Sequence, residues 1–485
     1  MTTSSKLEVL SFGNGKLIES KNYTDVYDPG ALDQLVGRIG NCSVEQVNTV
    51  IEDAHEAYLA WSKTTVGERK ALLGKASALL PQLVNEYRDL LVREHGGVIW
   101  EAETDFMLSS GVLHLYSQID DGVLATKHVE EETGWYKVAY NAKGVVAAIV
   151  PWNMPLILTM NKLGPALVAG NTIVIKPSPF APLALTLVLR KIAELFPPGV
   201  INVTNGDIAV GEVLSQHPLV RKVAFTGGTN TGKIVMANAA QTIKEVTLEL
   251  GGNDPAIVLE DADFEKIIPK LLKGVFTRSG QICFAVKRTY VPKTRADEFY
   301  EAIKAYVEKF KIGHGLQQDA DFGPVNNAKQ YKMVKQLIEQ AKQLPNVKIE
   351  EVGHKLTPET WANGYYILPH LLVTTDPSIE LVAIEQFGPI MPIIIYDEIS
   401  QAIEWANQFE YGLGSSVWGT DIDKAYEVAL QIEAGNTFIN SHSFDSLSLG
   451  MPFGGIKQSG IGRELAVEES IYGYIDLHSI RLVKE

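Results

Sequence analysis

The chain has 485 residues, 46% of them hydrophobic and 21% charged, enough for two or three domains with sizeable cores and unlike a disordered or fibrous composition. Lys and Arg number 43 against 58 Asp and Glu, a formal charge of −15, which argues against non-specific binding to nucleic acid or an anionic membrane because phosphate selects basic faces. The two cysteines, Cys42 and Cys283, lie too far apart in sequence to look like a disulfide framework, and no paired Cys/His spacing suggests a metal; a reducing cytoplasm fits.

The polar start, Met1 to Glu8, lacks the apolar core of a signal peptide. Residues 44 to 95 carry helical signals: Ser43 is a cap candidate, and Val50, Ile51, Ala54, Ala57, Tyr58 and Trp61 recur at helical spacing. A second helical run extends from about Val66 through Leu91. Thr126 to Val129 and Trp135 to Tyr140 flank Gly134 and three glutamates, which reads as a hairpin.

Between Gly144 and Leu259 short β runs alternate with helix-length stretches. The expected strands are Val145–Val150, Thr172–Lys176, Val200–Val203 and Lys222–Thr226; the expected helices are Ile157–Ala169, Leu183–Leu195 and Ile208–Ser215. The longest apolar tract, Val145 to Gly170, is interrupted by Pro151, Asn153, Pro155, Asn161, Lys162 and Pro165, so it is not a bilayer span. Such alternation implies an α/β fold with a doubly wound parallel sheet that takes a nucleotide at its strands' carboxyl ends. No Gly-x-Gly-x-x-Gly follows the first strand. Instead Phe225 to Lys233 joins strand to helix through Gly227, Gly228 and Gly232, with Thr229 as a cap candidate; this loop can bring backbone N–H groups to a pyrophosphate or be a plain turn.

Glu249 interrupts an apolar strand just before Gly251 and Gly252. A desolvated carboxylate there has its pKa raised and suits a general base, and an edge-strand glutamate in water is the alternative. Cys283 follows after a strand–helix excursion, near Arg278, Lys287 and Arg288, cations expected to favour its thiolate, and a buried, inert thiol is the alternative. Further on, a second α/β unit is expected from Asn253 to about Phe438, with strands Ala256–Leu259 and Pro392–Tyr396 and a helix from Ala296 to Phe310. The chain then returns to the first unit at Pro452 to Glu464, and Tyr474 to Val483 alternates as a strand.

In this order, Pro151-Trp152-Asn153-Met154-Pro155, Lys176-Pro177-Ser178, Phe225 to Gly232, Leu248-Glu249-Leu250-Gly251-Gly252, Gly280-Gln281-Ile282-Cys283, Glu385-Gln386-Phe387-Gly388-Pro389 and Pro452 to Gly460 resemble the motifs of the aldehyde dehydrogenase superfamily. The resemblance implies a Rossmann-like cofactor domain (1–121, 141–250 and 439–470), a catalytic domain (251–438) and a small β oligomerisation element (122–140 and 471–485). It implies a soluble cytoplasmic homodimer or homotetramer that oxidises a small-molecule aldehyde to the free acid.

By the same resemblance Cys283 is the nucleophile, Asn153 an oxyanion donor and Glu249 the base that activates water. Trp152, Lys176, Ser178, Gly227, Thr229, Gly232, Gly251, Glu385 and Phe387 would hold NAD. NADP is also allowed, since Pro179 stands where NAD-preferring relatives carry a glutamate that repels a 2′-phosphate. Met154, Leu158, Phe284 and Ser441 would line an apolar pocket for an aliphatic or aromatic aldehyde, and the final strand would join a neighbouring subunit's sheet. Two alternatives are a coenzyme-A-acylating semialdehyde dehydrogenase, disfavoured by Glu249, and a non-catalytic binding protein on the same scaffold, disfavoured by Cys283, Glu249 and Asn153 together.

Overall fold

The computed structural model describes residues 7–484. Two parallel-rich sheets organise it. In the first, of eight strands, Glu245–Glu249, Val220–Thr226, Val145–Ile149, Thr172–Lys176 and Ile201–Val203 lie side by side and parallel. These strands are near-continuous apolar runs because helices cover both faces of the sheet; Val145, Ile173 and Val223 are fully buried. Short antiparallel strands close both edges, Gly460–Ile461 against Glu249 and Phe12–Gly13 against Val203. The return of the late chain to the first sheet therefore holds, and places residues 460–461 beside Glu249.

The second sheet has seven strands, with Asp254–Val258 and Val286–Pro292 at its centre, His370–Thr374, Ile390–Tyr396, Gly414–Trp418 and Asn436–Ile439 around them, and Lys348–Glu351 antiparallel at one edge. The helix Phe264–Phe276 links its two central strands and ends just before Cys283. A single excursion thus carries the chain from Glu249 to Cys283.

The helical lead-in forms as Val44–Trp61 and Val66–His95. Ser43 caps the first through a reciprocal pair with Gln46, and Thr65 with Glu68 does the same for the second. Not anticipated were the strands before residue 42: Glu8–Val9, Ala31–Asn41 and Asn22–Asp28 form a separate three-stranded sheet. Their alternation is broken by register shifts at Val26 to Asp28, which blurs the period-two signal.

The predicted hairpin is Lys127–Glu131 with Gly134–Ala142. The terminal strand, Ile475–Val483, pairs antiparallel along its length with Gly134–Ala142 of its own chain. It is the edge strand of that three-stranded sheet, and its other side pairs with no strand of this chain among the described residues. No helix among the described residues is long and apolar enough to cross a membrane.

Candidate active site

The helix Pro155–Val168 positions one wall of the site. Pro155 occupies its first turn, where a missing N–H costs nothing, and the buried Asp105 carboxylate accepts the free backbone N–H groups of Leu156 and Ile157 at 3.1 and 2.7 Å. Burial pushes the Asp105 carboxyl up to about 7, against those two hydrogen bonds. Just before this helix, the Asn153 side-chain amide donates to the Gln281 carbonyl at 2.9 Å, tying the first sheet to the cysteine segment.

That segment is an unusual piece of backbone. Arg278 and Ser279 both have φ of 58° and Gly280 follows at 72°, three successive left-handed residues where only glycine is free of strain. The conformation is held from outside. The Ser279 hydroxyl donates to the Gly323 carbonyl at 2.7 Å, and the Gln281 side chain joins the Arg278 carbonyl and the Asn326 N–H.

Arg278 itself is buried among groups of the first half: its Nε donates to the Asn153 carbonyl at 3.0 Å, its Nη2 to the His95 carbonyl at 3.3 Å, and the Glu101 carboxylate accepts its backbone N–H at 2.5 Å. This arginine braces the turn and does not face the sulfur. Lys287 donates to the Gly280 carbonyl, and Arg288 to the carbonyls of Asn253, Trp405 and Ala406. Lys287 lies within electrostatic reach of the sulfur, but the expected thiolate-favouring field does not prevail. Burial first, then the charges of Glu249, Glu385 and Asp254, hold the Cys283 thiol well above its ordinary pKa, and the Phe284 N–H opposes them. Sequence proximity misled because each of these cations has its own carbonyl or carboxylate partners.

Cys283, Asn153 and Glu249 line one cavity of about 40 Å³, with Met154, Leu158 and Phe284. Its remaining walls are mostly apolar and include Ile157, Ile282, Phe444, Leu447, Phe453 and Leu465. Phe284 stands edge-on to Phe444 and to Phe453, with centroids 5.5 Å apart in both pairs. Ser441 is not part of this lining. It bonds the Ser446 hydroxyl at 2.5 Å and shapes the loop that delivers Phe444 and Leu447.

Glu249 ends its strand 4% exposed, and neither carboxylate oxygen has a hydrogen-bond partner. A Cβ on Gly454 would sit 2.8 Å from Glu249 Oε1, so only glycine leaves room for the carboxylate there. Burial, then the charge of Glu464, push its pKa well up, against Lys162 and Arg463. Lys162, wholly buried, donates to the Thr226 hydroxyl at 2.6 Å and to Glu464 at 2.5 Å. Lys162 and Glu464 were not singled out from the sequence. The available signal was a lysine in an otherwise apolar helix, noted only as an interruption of a bilayer span.

Along the carboxyl ends of the first sheet lie the residues expected at the dinucleotide. Lys176 is buried at its strand end, its Nζ 3.4 Å from the Pro177 carbonyl, and burial lowers its pKa to about 8. Ser178 accepts the Phe180 N–H at 3.4 Å, and Pro179 is exposed. Gly228, not Thr229, is the cap of helix Thr229–Ala240; the Thr229 hydroxyl instead reaches the Gln458 carbonyl at 3.4 Å. A side chain on Gly228 would meet nothing within 4 Å, so the helix start is open to an anion. Gly227 donates to the Glu249 carbonyl at 3.0 Å, and Gly232 is packed against Leu250.

Glu385 accepts the Gly252 N–H at 3.1 Å, and a Cβ on Gly251 would lie 2.3 Å from its Oε2. Burial raises the Glu385 carboxyl to about 7, against Lys287 and that N–H. Trp152 meets Phe387 edge to face at 5.9 Å. A buried ammonium held only by one long backbone contact, an open helix start and a carboxylate set on glycines suit the phosphates and ribose hydroxyls of a dinucleotide. No cluster of three or more potential metal ligands occurs among the described residues.

Comparison with known proteins gives one answer. Residues 17–480 match the model of the aldehyde dehydrogenase family. An aldehyde dehydrogenase of Agaricus bisporus is 33% identical over 480 residues, 97% of this chain and 94% of the relative. A point variant of Staphylococcus aureus betaine aldehyde dehydrogenase, solved in complex with NAD+, superposes with a TM-score of 0.93 at 30% identity and covers 98% of this chain and 97% of its own. An NADP-dependent enzyme of E. coli superposes at 0.92 with 29% identity, covering 98% of each chain.

Proposed function

This chain belongs to the aldehyde dehydrogenase family and is an NAD(P)-dependent oxidoreductase acting on an aldehyde, and we propose that Cys283, Asn153 and Glu249 carry the reaction on uncharged, apolar substrates. One observation supports this reading most: the sulfur, the amide and a carboxylate without partners share one cavity whose other walls are mainly hydrocarbon and phenyl rings.

The Cys283 thiol, held protonated by burial, gives its proton to the Glu249 carboxylate of the same cavity, which passes it to solvent, and the sulfur bonds to the aldehyde carbon. The Asn153 amide turns from the Gln281 carbonyl to the developing oxyanion, a contribution of about 3 kcal/mol to the barrier. Bound NAD(P) supplies the acceptor for the hydride that leaves the tetrahedral carbon. The thioester on Cys283 is then attacked by water, whose proton passes to Glu249; the raised pKa of that carboxylate makes it a better proton acceptor than an exposed one.

Lys176, Ser178, Gly227, Thr229, Gly232 and Gly251 would hold the adenosine and pyrophosphate side, and Trp152, Glu385 and Phe387 the nicotinamide side. Pro179 offers no carboxylate against a 2′-phosphate, so NAD and NADP are both accepted. Residues 122–140 and 471–485 serve assembly of a cytoplasmic homo-oligomer, beside cofactor (1–121, 141–250, 439–470) and catalytic (251–438) domains.

The test is NAD(P)H formation across aliphatic, aromatic and amino aldehydes, with and without coenzyme A. Cys283→Ser should lose roughly three orders of magnitude or more of turnover, and wild type should release free acid whether or not coenzyme A is added. Turnover retained by the serine variant, or acid release that requires coenzyme A, removes this reading.

A further inference from the structure

The helix Pro155–Val168 and the cap residue before it carry four residues into the cavity lining: Met154, Ile157, Leu158 and Asn161. Their spacing, i, i+3, i+4 and i+7, is one face of a helix. Three of them are apolar and the fourth is an amide. Asn161 is 5% exposed, and its Oδ1 has no hydrogen-bond partner. The other polar residues of the lining are already engaged, since Asn153 is tied to Gln281, Thr226 and Glu464 hold Lys162, and Glu249 stands at the chemistry.

A buried acceptor left without a donor is costly. Its survival beside a ligand cavity asks what donor the ligand brings. We propose that Asn161 is a specificity-determining residue that accepts a hydrogen bond from a hydroxyl on the substrate, so that the preferred substrate class is a hydroxyl-substituted aromatic aldehyde. The proposal rests on the reading above that this cavity receives the aldehyde. The lining carboxylates are committed, Glu464 to Lys162 and Glu249 to the chemistry, which leaves a charged substituent no free counter-ion, and a plain hydrocarbon leaves Oδ1 unpaired.

Phe284, Phe444 and Phe453 line the same cavity and give an aromatic ring edge-and-face partners.

The experiment compares para-hydroxybenzaldehyde with para-tolualdehyde, in which a methyl group of nearly the same size replaces the hydroxyl. Wild type should favour the hydroxy compound by about tenfold to a hundredfold in kcat/KM. In Asn161→Leu that ratio should collapse to within about threefold of unity, whatever happens to the absolute rates. A wild-type ratio near one, or a preference that survives Asn161→Leu, overturns the assignment; the wild-type ratio decides alone if the variant does not fold. Equal use of both compounds defeats the Asn161 anchor and leaves the apolar pocket standing. If neither is oxidised while hexanal is, the aromatic class falls with it, and if no aldehyde is oxidised the catalytic reading falls as well.

Discussion

Arg278 and Glu249 are both almost withdrawn from water, 1% and 4% exposed, yet their surroundings are built on opposite rules. The guanidinium meets carbonyls of Asn153 and His95 and the Glu101 carboxylate, and His95, itself pushed well below its usual pKa by burial and by Arg278, stays neutral. Glu249 has no partner on either oxygen and a like charge nearby in Glu464. A charge buried with its needs met belongs to the scaffold; a charge buried without them is kept at a cost the fold covers elsewhere, and such groups concentrate where chemistry is done. Burial alone would not separate the two.

The sharpest break of this contrast is Glu249→Gln. Deacylation should slow by roughly a hundredfold or more while NAD(P)H still appears in a first-turnover burst, and stability should hold or rise because an orphaned carboxylate is gone. Burst and steady-state absorbance, with urea unfolding, read all three; an undiminished steady-state rate would return Glu249 to the scaffold class. Arg278→Met should do the reverse and destabilise by about 3 kcal/mol or more, because it strands the Glu101 carboxylate. Adding Glu101→Met should recover part of that loss in urea unfolding. The smallest effect is expected from Glu464→Gln. Removing its charge lowers the Glu249 pKa, since a like charge raises it and Lys162 is then free to lower it. The rising limb of the pH–rate profile should move to lower pH, and a move to higher pH would show that Glu464 does not act on Glu249.

The parallel sheet, its strands and the path from Glu249 to Cys283 were legible because apolar runs of strand length alternate with helix-length stretches, a pattern that needs no tertiary information. The surroundings of Cys283 were not. Arg278, Lys287 and Arg288 are close in sequence, but where a long cation points depends on carbonyls delivered from remote segments, such as Asn253 and Trp405. Asp105 and Glu464 were invisible for the same reason: their partners lie about 50 and 300 residues away. Ser441 was assigned to the pocket as part of its loop, but the loop turns Phe444 inward and closes Ser441 on Ser446. The paired Asn161 and Lys162 were visible as polar breaks in an apolar helix, and only the side of the helix they occupy gave them meaning.

The left-handed turn at Arg278, Ser279 and Gly280 is pinned by atoms from the other half of the molecule, the carbonyls of Asn153 and His95 and the Glu101 carboxylate. A nascent or damaged chain in which only the second sheet has formed has nothing to clamp that guanidinium, so its sulfur is not yet aimed at anything. The aim of the nucleophile is therefore a property of the docked pair of sheets, which neither half of the molecule carries alone.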